Sequence, residues 1–572
     1  MKKWFVSAKR ADFTEIGKKF NITPMTARII RNRDVIGDEQ IRKFLHGGIA
    51  DLYSPWQLYG MKEGTRLLQQ AIAAGEKIRI IGDYDIDGVC ATYILLTGLK
   101  KVGANVDTVI PDRIKDGYGI NEQLIDRAKE DHVHVIVTCD NGIAALSQIT
   151  YAKELGMKVL VTDHHEVPFE ENENGRMEKL PPADVIINPK QERCTYPWKG
   201  LCGGVVAWKL VAALYEIYGV ASEEVYKLLE FAAIATVGDI MELQDENRII
   251  VKEGLKRIHH TKNIGLRSLI EVNGLERDSI GAYHIGFVLG PCINAGGRLD
   301  TAKRALELFA SEDKEAADRL AGDLKALNDN RKDMTAVAVE EAIRQVEETE
   351  LKRYQVLVIY LPECHESLAG IVAGRIRERY YKPTFILTNA EEGMKGSGRS
   401  IDAYHMYEEL NKCKHLLTKF GGHKLAAGLS LETRNLEELR RTLNQNAKLS
   451  EDDLTPKVSI DMQLPFAYVS EELVEQLELL EPFGKGNTKP IFVEKDLDII
   501  NTQVFGKNQN VLKMRVKDSS GRMMDATYFG DTASFLAYYD ERKGQKAAFT
   551  YYPTINEYQG RKNLQIIVQS FR

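Results

Sequence analysis

"IIGDYDIDG", residues 80–88, places Asp83, Asp85 and Asp87 at alternate positions directly before a glycine. The D-x-D-x-D-G core matches the start of an EF-hand calcium loop, whose twelfth position must supply a bidentate glutamate. Counted from Asp83, that position is Ile94, and the residues upstream, "EKIRIIG", alternate and branch like a buried strand where an EF-hand needs a helix. The calcium reading fails on both counts. What remains is a strand that ends in a clump of carboxylates and turns at Gly88 into the apolar helix "VCATYILLTGLKKVG". The plain alternative, a polar turn with Asp87 as helix cap, stands unless other strands end in the same way.

Others do. From residue 76 to about 190, "KIRIIGD", "NVDTVIPD", "VHVIVTCD", "MKVLVTD" and "ADVIINPK" alternate with helical segments. Five βα units in a row call for an open parallel sheet covered by helices on both faces. In such sheets ligands gather beyond the carboxyl ends of the strands. Those ends carry Asp83/Asp85/Asp87, Asp112, Asp140 and Asp163-His164-His165, an accumulation hard to ascribe to chance.

The chain has 572 residues, enough for three or four domains, with an ordinary globular composition of 44% hydrophobic and 28% charged residues. No apolar run reaches the length of a membrane span, and "MKKWFVSAKRADF" lacks the features of a signal peptide, so a cytoplasmic location is expected. Seven cysteines, none in a C-x-x-C pair, suit reduced thiols and argue against a structural zinc. The net charge of −6 does not announce a nucleic-acid binder, although a local basic groove is compatible with it.

Residues 1–60 read as a helical lead-in and 61–310 as the acidic α/β domain, which includes an apolar helix ending at Asp239. The charged run 311–350 predicts a long solvated helix joining two lobes. A second α/β domain, 351–450, carries two glycine-rich turns, and the alternating strands of 455–572 suggest a five-stranded barrel of the OB-fold kind. The predicted fold class is therefore α/β with a terminal β-barrel.

Carboxylates with one or two imidazoles and no thiolates prefer Mn2+ or Mg2+ to zinc or copper. Two such ions roughly 3.5–4 Å apart would serve phosphodiester hydrolysis, and without them the crowded aspartates would raise one another's pKa values. A one-metal or structural site is the alternative. No G-x-S-x-G elbow is present, and Cys90 and Cys139 fall where the pattern buries them. In "TDHHEV", adjacent side chains at a strand end are expected to diverge, so His164 and His165 are assigned different tasks.

The chain resembles the DHH phosphoesterase family and, within it, the single-strand-specific exonuclease branch. The resemblance is carried in family order by "GDYDIDG" (82–88), "PDRIKDGYG" (111–119), "CDNGI" (139–143), "TDHHE" (162–166), "VGDIMEL" (237–243), "NAGGRL" (294–299), "GSGRS" (396–400), "FGGHKLAAG" (420–428) and "EPFGKGN" (481–487). It implies a DHH domain joined to a DHH-associated domain, and two divalent ions, Mn2+ or Mg2+, bound by Asp85, Asp87, Asp140, His164 and Asp239 with Asp83 close by. Asp87 and Asp140 are chosen as bridging ligands. His165 then meets the scissile phosphate, and Asp163 orients the histidines.

For the strand, Arg113 and Tyr118 offer a guanidinium for phosphate and a ring for a base. Asn294 and Arg298, with Ser397, Arg399, Gly421, Gly422 and His423, complete the expected nucleic-acid contacts, the glycines letting backbone approach a phosphate. The barrel aromatics Tyr528, Phe529, Tyr551, Tyr552 and Tyr558, with Lys513, Arg515, Arg561 and Lys562, are read as either a stacking platform or ordinary core and surface. Cys292, Cys364 and Ser367 depart from the family pattern, at positions where Arg, Trp and Gly are expected.

The resemblance further implies 5′-to-3′ digestion of single-stranded DNA to mononucleotides in recombination and repair, by a monomer that works with a single-stranded-DNA-binding protein and a RecQ-type helicase and needs no membrane. The rivals are a small-substrate DHH phosphodiesterase, such as an oligoribonuclease, and a catalytically inactive DNA-binding scaffold.

Overall fold

Strands rich in β-branched residues and buried on both faces can form only where helices cover a sheet from both sides. Ile78–Ile81, Val135–Cys139 and Lys158–Thr162 are of this kind. In the computed structural model, which describes residues 2–112, 119–172, 175–506, 508–542, 544–558 and 560–572, they are central in a five-stranded parallel sheet. Its order is Val106–Val109, Ile78–Ile81, Val135–Cys139, Lys158–Thr162, Val185–Ile187. All five expected strands are present. The order reverses between Ile78–Ile81 and Val135–Cys139, which opens a crevice at their carboxyl ends. Asn141 fixes that crevice: its amide donates to Ile81 O (3.0 Å) and Cys139 O (2.9 Å), tying the two strand ends together.

One face of the sheet packs on the helices Ile86–Lys101, Gly203–Tyr218 and Leu229–Gly238, the other on Glu122–Glu130 and Leu146–Glu154. Leu229–Gly238 is apolar nearly all round and accordingly buried nearly all round. Among the described residues no helix is long and apolar enough to cross a membrane.

The joining helix runs from Lys314 to Glu348, 35 residues, capped by Asp313. It is less solvated than its charge suggests. Ala317, Ala321 and Leu324 belong to the core of the first lobe, Ala338, Ala342 and Val346 to that of the second. The second lobe is a five-stranded mixed sheet ordered Lys419–Gly422, Ala426–Leu431, Met394–Arg399, Thr384–Asn389, Leu357–Tyr360.

The last domain is a closed barrel. Phe492–Phe505 pairs with both Val511–Lys517 and Ala547–Tyr558, and Met523–Phe529 runs parallel to Arg561–Phe571. Tyr551 and Tyr552 are not available for stacking: Tyr551 packs on Phe466 and Phe492 in the core, and Tyr552, on the opposite face of the strand, is buried against Phe483 and Lys489. Tyr528 is half-buried among Phe535 and Phe571, whereas Phe529 is exposed. The side chain of Tyr558 lies outside the described residues.

The amino-terminal lead-in is helical over Phe13–Phe20, Pro24–Asn32 and Asp38–His46, but it opens with a strand, Lys3–Val6, that pairs in parallel with Lys457–Ile460. Ile29, Ile30, Ile41 and Phe44 share one core with Phe466, Leu477 and the barrel. A buried Arg33–Asp461 ion pair and Arg248 complete the joint. The Arg248 guanidinium donates to Phe44 O (2.8 Å), Leu479 O (3.1 Å), Leu480 O (2.9 Å), Glu481 O (2.7 Å) and Pro482 O (3.4 Å).

Candidate metal centre and nucleic-acid interface

After Ile81 the chain turns sharply enough that a Cβ at Gly88 would lie 2.5 Å from Asp83 O. Asp85, not Asp87, caps the following helix, accepting from the amides of Asp87 and Gly88 at 3.0 Å each. This leaves Asp87 inside the first turn, aimed at a second helix start. Its two oxygens accept from Gly203 N and Gly204 N, both at 2.7 Å. The approach needs glycine, since a Cβ at Gly203 would lie 2.7 Å from Asp140 Cβ and one at Gly204 2.6 Å from Ala235 Cβ. The pair "GG" opening the apolar stretch "GGVVAWKLVAALY" was the available sequence signal for this contact, and the motif reading above passes over it.

Asp140 ends the neighbouring strand with a left-handed backbone, φ 62°. Such strain in a non-glycine residue gathers where surrounding structure dictates a functional geometry. Asp163 takes the next strand end: Oδ1 accepts from His164 N (2.7 Å) and His165 N (3.1 Å) and lies 2.8 Å from His165 Nδ1, while Oδ2 accepts from Ile143 N (2.9 Å). The histidines do not diverge as strand alternation predicts. The strand stops at Thr162, the backbone winds about the Asp163 carboxylate, and the two rings come to 4.5 Å centroid to centroid.

Asp239 arrives from the end of Leu229–Gly238, followed by Ile240, which is left-handed (φ 56°) and exposed. His164 Nε2 then lies 3.1 Å from Asp140 Oδ1, 3.5 Å from Asp87 Oδ2 and 3.6 Å from Asp239 Oδ2. Donor atoms converge in three groups, Asp83/Asp85/Asp140, Asp87/His164/Asp239 and Asp140/His164/His165, so all six expected ligand residues are brought together and Asp140 links a carboxylate group to a histidine group. Asp112 is in none of the three, being on the edge strand's side of the sheet.

This cluster is electrostatically incomplete. Burial, then Asp87, Asp85 and Asp83, push Asp140 well above the usual carboxylate range. Burial and Asp87 raise Asp85, and burial with Asp87 and Asp85 brings Asp239 up to about 8. Burial lowers His164, keeping its imidazole neutral. Against burial, the Asp163 hydrogen bond and surrounding carboxylates bring His165 up to about 9. Among the described residues neither ring nitrogen of His164 finds a hydrogen-bond partner, although both are buried. A neutral imidazole nitrogen facing three carboxylate oxygens, without hydrogen-bond geometry to any, is a donor set that fits a hard divalent cation.

Family signatures match in three places: the DHH family, N-terminal domain, at residues 77–236; the DHHA1 domain at 353–449; and the RecJ OB domain at 460–570. The chain is 37% identical to the single-stranded-DNA-specific exonuclease RecJ of Bacillus subtilis, across 96% of this chain and 68% of that one. With RecJ of Haemophilus influenzae it shares 32% identity across 97% of both chains. The chain belongs to the RecJ family. Thermus thermophilus RecJ, solved in complex with Mn2+, superposes with a TM-score of 0.84 at 26% identity, covering 100% of this chain and 79% of that one.

Of the RecJ-type contacts expected for DNA, Arg113 and Tyr118 lie outside the described residues. Asn294 is partly committed elsewhere: its Oδ1 accepts from Ile86 N at 2.8 Å, bracing the Asp85–Asp87 turn. Gly297 lets that helix approach, since a Cβ there would lie 2.2 Å from Tyr84 O. Arg298 reaches across to the second lobe and donates to Ser367 O (2.9 Å). Beyond it, Ser397, Gly428 and Gly421 stand opposite one another on three adjacent strands, giving a row with only one side chain. Arg399 donates to Ser397 Oγ (3.0 Å), and Gly421, Gly422 and His423 are exposed. The three departures lie at the joint between lobes or near it. Ser367 Oγ is 2.8 Å from His365 Nδ1, Cys364 is buried, and Cys292 packs 3.4 Å from Asn328 Nδ2.

The motif reading does not include Tyr283 and Phe287. Both rings are exposed and stacked at 5.0 Å on the segment Ala282–Leu289, whose Ile285–Leu289 part is a π-helix. That segment packs on Val237 and Ile86, beside the acidic cluster. The aromatic spacing "AYHIGF" was visible, but nothing in it marked the rings as exposed.

Proposed function

We propose that this chain is a metal-dependent exonuclease that draws single-stranded DNA between its two α/β lobes and hydrolyses it at the strand-end cluster, with Mn2+ or Mg2+ bound there. The observation that carries the reading is the convergence of Asp83, Asp85, Asp87, Asp140, His164 and Asp239 at the sheet's switch point, with neither ring nitrogen of His164 hydrogen-bonded among the described residues. Two divalent ions held by these residues would supply neutralisation of the phosphodiester charge and a water acidified to near neutrality. His165, held by Asp163 through Nδ1, is placed to donate from its other ring nitrogen to a non-bridging oxygen of the scissile phosphate. Asp87 is held by two helix-start amides and Asp140 by its strained turn, so both are pre-oriented to hold a cation.

The row Ser397–Gly428–Gly421 gives a phosphate backbone an open seat, and Arg298 links that seat to the cluster. Tyr283 and Phe287 offer a stacking platform for bases entering the crevice. Digestion from the 5′ end to mononucleotides, in recombination and repair, belongs to the same reading, as do a single-stranded-DNA-binding protein and a helicase that supply the strand.

The test is digestion of a long single strand labelled separately at its two ends, with Mn2+, beside Asp140→Ala. Early release of the 5′ label as mononucleotide, absent in Asp140→Ala, is expected. Intact DNA alongside cleaved dinucleotides would move the chain to the small-substrate branch.

A further inference from the structure

A cavity of about 900 Å3 opens on the far side of the DHH domain, between the last turns of Ile86–Lys101, the start of Leu229–Gly238, and the segments His260–Ile264 and Phe309–Glu312. Its size is that of a small-molecule site. Tyr93, Phe231 and Phe309 line one wall, with ring centroids 4.4, 5.0 and 5.9 Å apart. Glu230, next to Phe231, also lines the cavity; it is 6% exposed, and its carboxyl has the buried Thr261 as hydrogen-bond partner and the Arg257 charge nearby. An acid in such a setting is costly unless something meets it. The rim carries Lys100, Lys101, Lys227, Lys256, Arg257 and Lys262, against the carboxylates Glu223, Glu224 and Glu312. Lys101 and Lys227 pair with Glu224, and Lys256 and Arg257 with Glu253, so among the described residues Lys100 and Lys262 are the rim cations outside an ion pair.

An apolar aromatic wall, a deep acceptor and two lysines at the mouth, Lys100 and Lys262, describe a ligand with a flat hydrogen-donating head and an anionic tail. Guanine presents adjacent N1–H and N2–H donors that a carboxylate accepts in a bidentate pair, whereas adenine offers only its N6 amino group on that edge. We propose that this cavity is a binding site for a guanine nucleotide, with Glu230 reading the base and the lysine rim holding the phosphate. Burial brings Glu230 up to about 7, so it meets two donors as a carboxylate at little cost near neutral pH.

The two helices that form the cavity are the two that carry the acidic cluster. Ile86–Lys101 begins at Asp85 and Asp87 and ends in the cavity; Leu229–Gly238 begins in the cavity and ends at Asp239. They run antiparallel in contact, Phe231 against Tyr93 at one end and Gly238 against Ile86 at the other. Glu230 and Asp239 are nine residues apart, about 13 Å along a helix. A ligand that spreads the Tyr93 and Phe231 ends would alter the spacing of Asp239 from Asp85 and Asp87. This coupling, unlike the binding site itself, rests on the nuclease reading above.

The experiment is equilibrium dialysis of the full chain with radiolabelled GMP in EDTA, so that no divalent ion recruits phosphate to the strand-end cluster. Saturable binding of about one GMP per chain is expected, with AMP and inorganic phosphate at least tenfold weaker. Glu230→Gln should weaken GMP at least tenfold, and Lys262→Glu, an exposed rim change that spares the core, severalfold without altering base preference. Asp140→Ala should bind GMP as the parent does, which separates failure of this site from failure of the nuclease reading. Equal binding of GMP, AMP and phosphate, GMP binding indifferent to both cavity substitutions, or no saturation up to millimolar GMP would overturn the site. GMP bound with no change in the rate of DNA digestion would overturn the coupling.

Discussion

Asn294 holds the backbone amide of Ile86, the residue between Asp85 and Asp87, and so acts on the metal turn from 208 positions away. Asn294→Ala strands that buried amide at a cost of about 1–3 kcal/mol and loosens the turn. We expect the Mn2+ concentration for half-maximal digestion to rise about tenfold, with KM for oligonucleotide little changed; a role confined to DNA contact would instead raise KM and leave the Mn2+ requirement alone. Glu230 makes a second residue-level prediction. Burial lifts its folded value from 4.5 to about 7, so the folded chain keeps a proton that the unfolded chain has already lost. The stability contributed by that proton is complete below about 4.5 and is lost as pH rises through about 7, on the order of 3 kcal/mol in all. Glu230→Gln should flatten this fall, read as urea midpoints across pH 5–8. The aspartates and histidines at the sheet were legible because strand ends are local features; Asp239, at a helix end, was assigned only through the resemblance. Asn294's bond to Ile86, and the Gly203–Gly204 amides on Asp87, were not, because each joins segments more than a hundred residues apart.

At the scale of elements, periodicity identified the five parallel strands, since continuous β-branched runs have few other uses. It misjudged places where an element stops. His164 and His165 lie just past the end of a strand, where alternation no longer applies, and both rings turn toward Asp140. The long helix was read as solvated from its charge, yet its spaced alanines bury a stripe in both lobes. Buried small residues carry little hydropathy signal, and that is why the stripe was hidden. Arg248 shows the same blindness for polar groups: a charged residue in Asp245–His259, it is almost wholly buried and is satisfied by five carbonyls from two distant segments. Arg248→Met removes the donors and leaves those carbonyls buried. A loss of about 3–5 kcal/mol is expected by analogy with broken buried charge networks, measured by urea denaturation. Arg248→Lys, with one ammonium for five acceptors, should recover only part of it.

Across the whole molecule, the first 46 residues and the barrel form one body although they stand at opposite ends of the sequence. Removing residues 455–572 to isolate the two lobes should therefore expose Ile29, Ile30, Ile41 and Phe44 and produce aggregates on size-exclusion chromatography. Removing residues 1–46 as well should restore a monodisperse species. If the single truncation already elutes as a clean monomer, the shared core is not what holds the ends together. Composition and pattern could reveal the lead-in's amphipathic helices, but not which distant surface they cover.

That union of the two ends has a consequence for how the chain is made. The helices carrying Ile29, Ile30 and Phe44 leave the ribosome more than 400 residues before the surfaces that cover them, from Phe466 to Val568. At about 5–20 residues per second the wait is on the order of tens of seconds. Throughout it the DHH and DHHA1 lobes can fold while an apolar amino-terminal face waits uncovered for the barrel strands, up to Arg561–Phe571, that bury it.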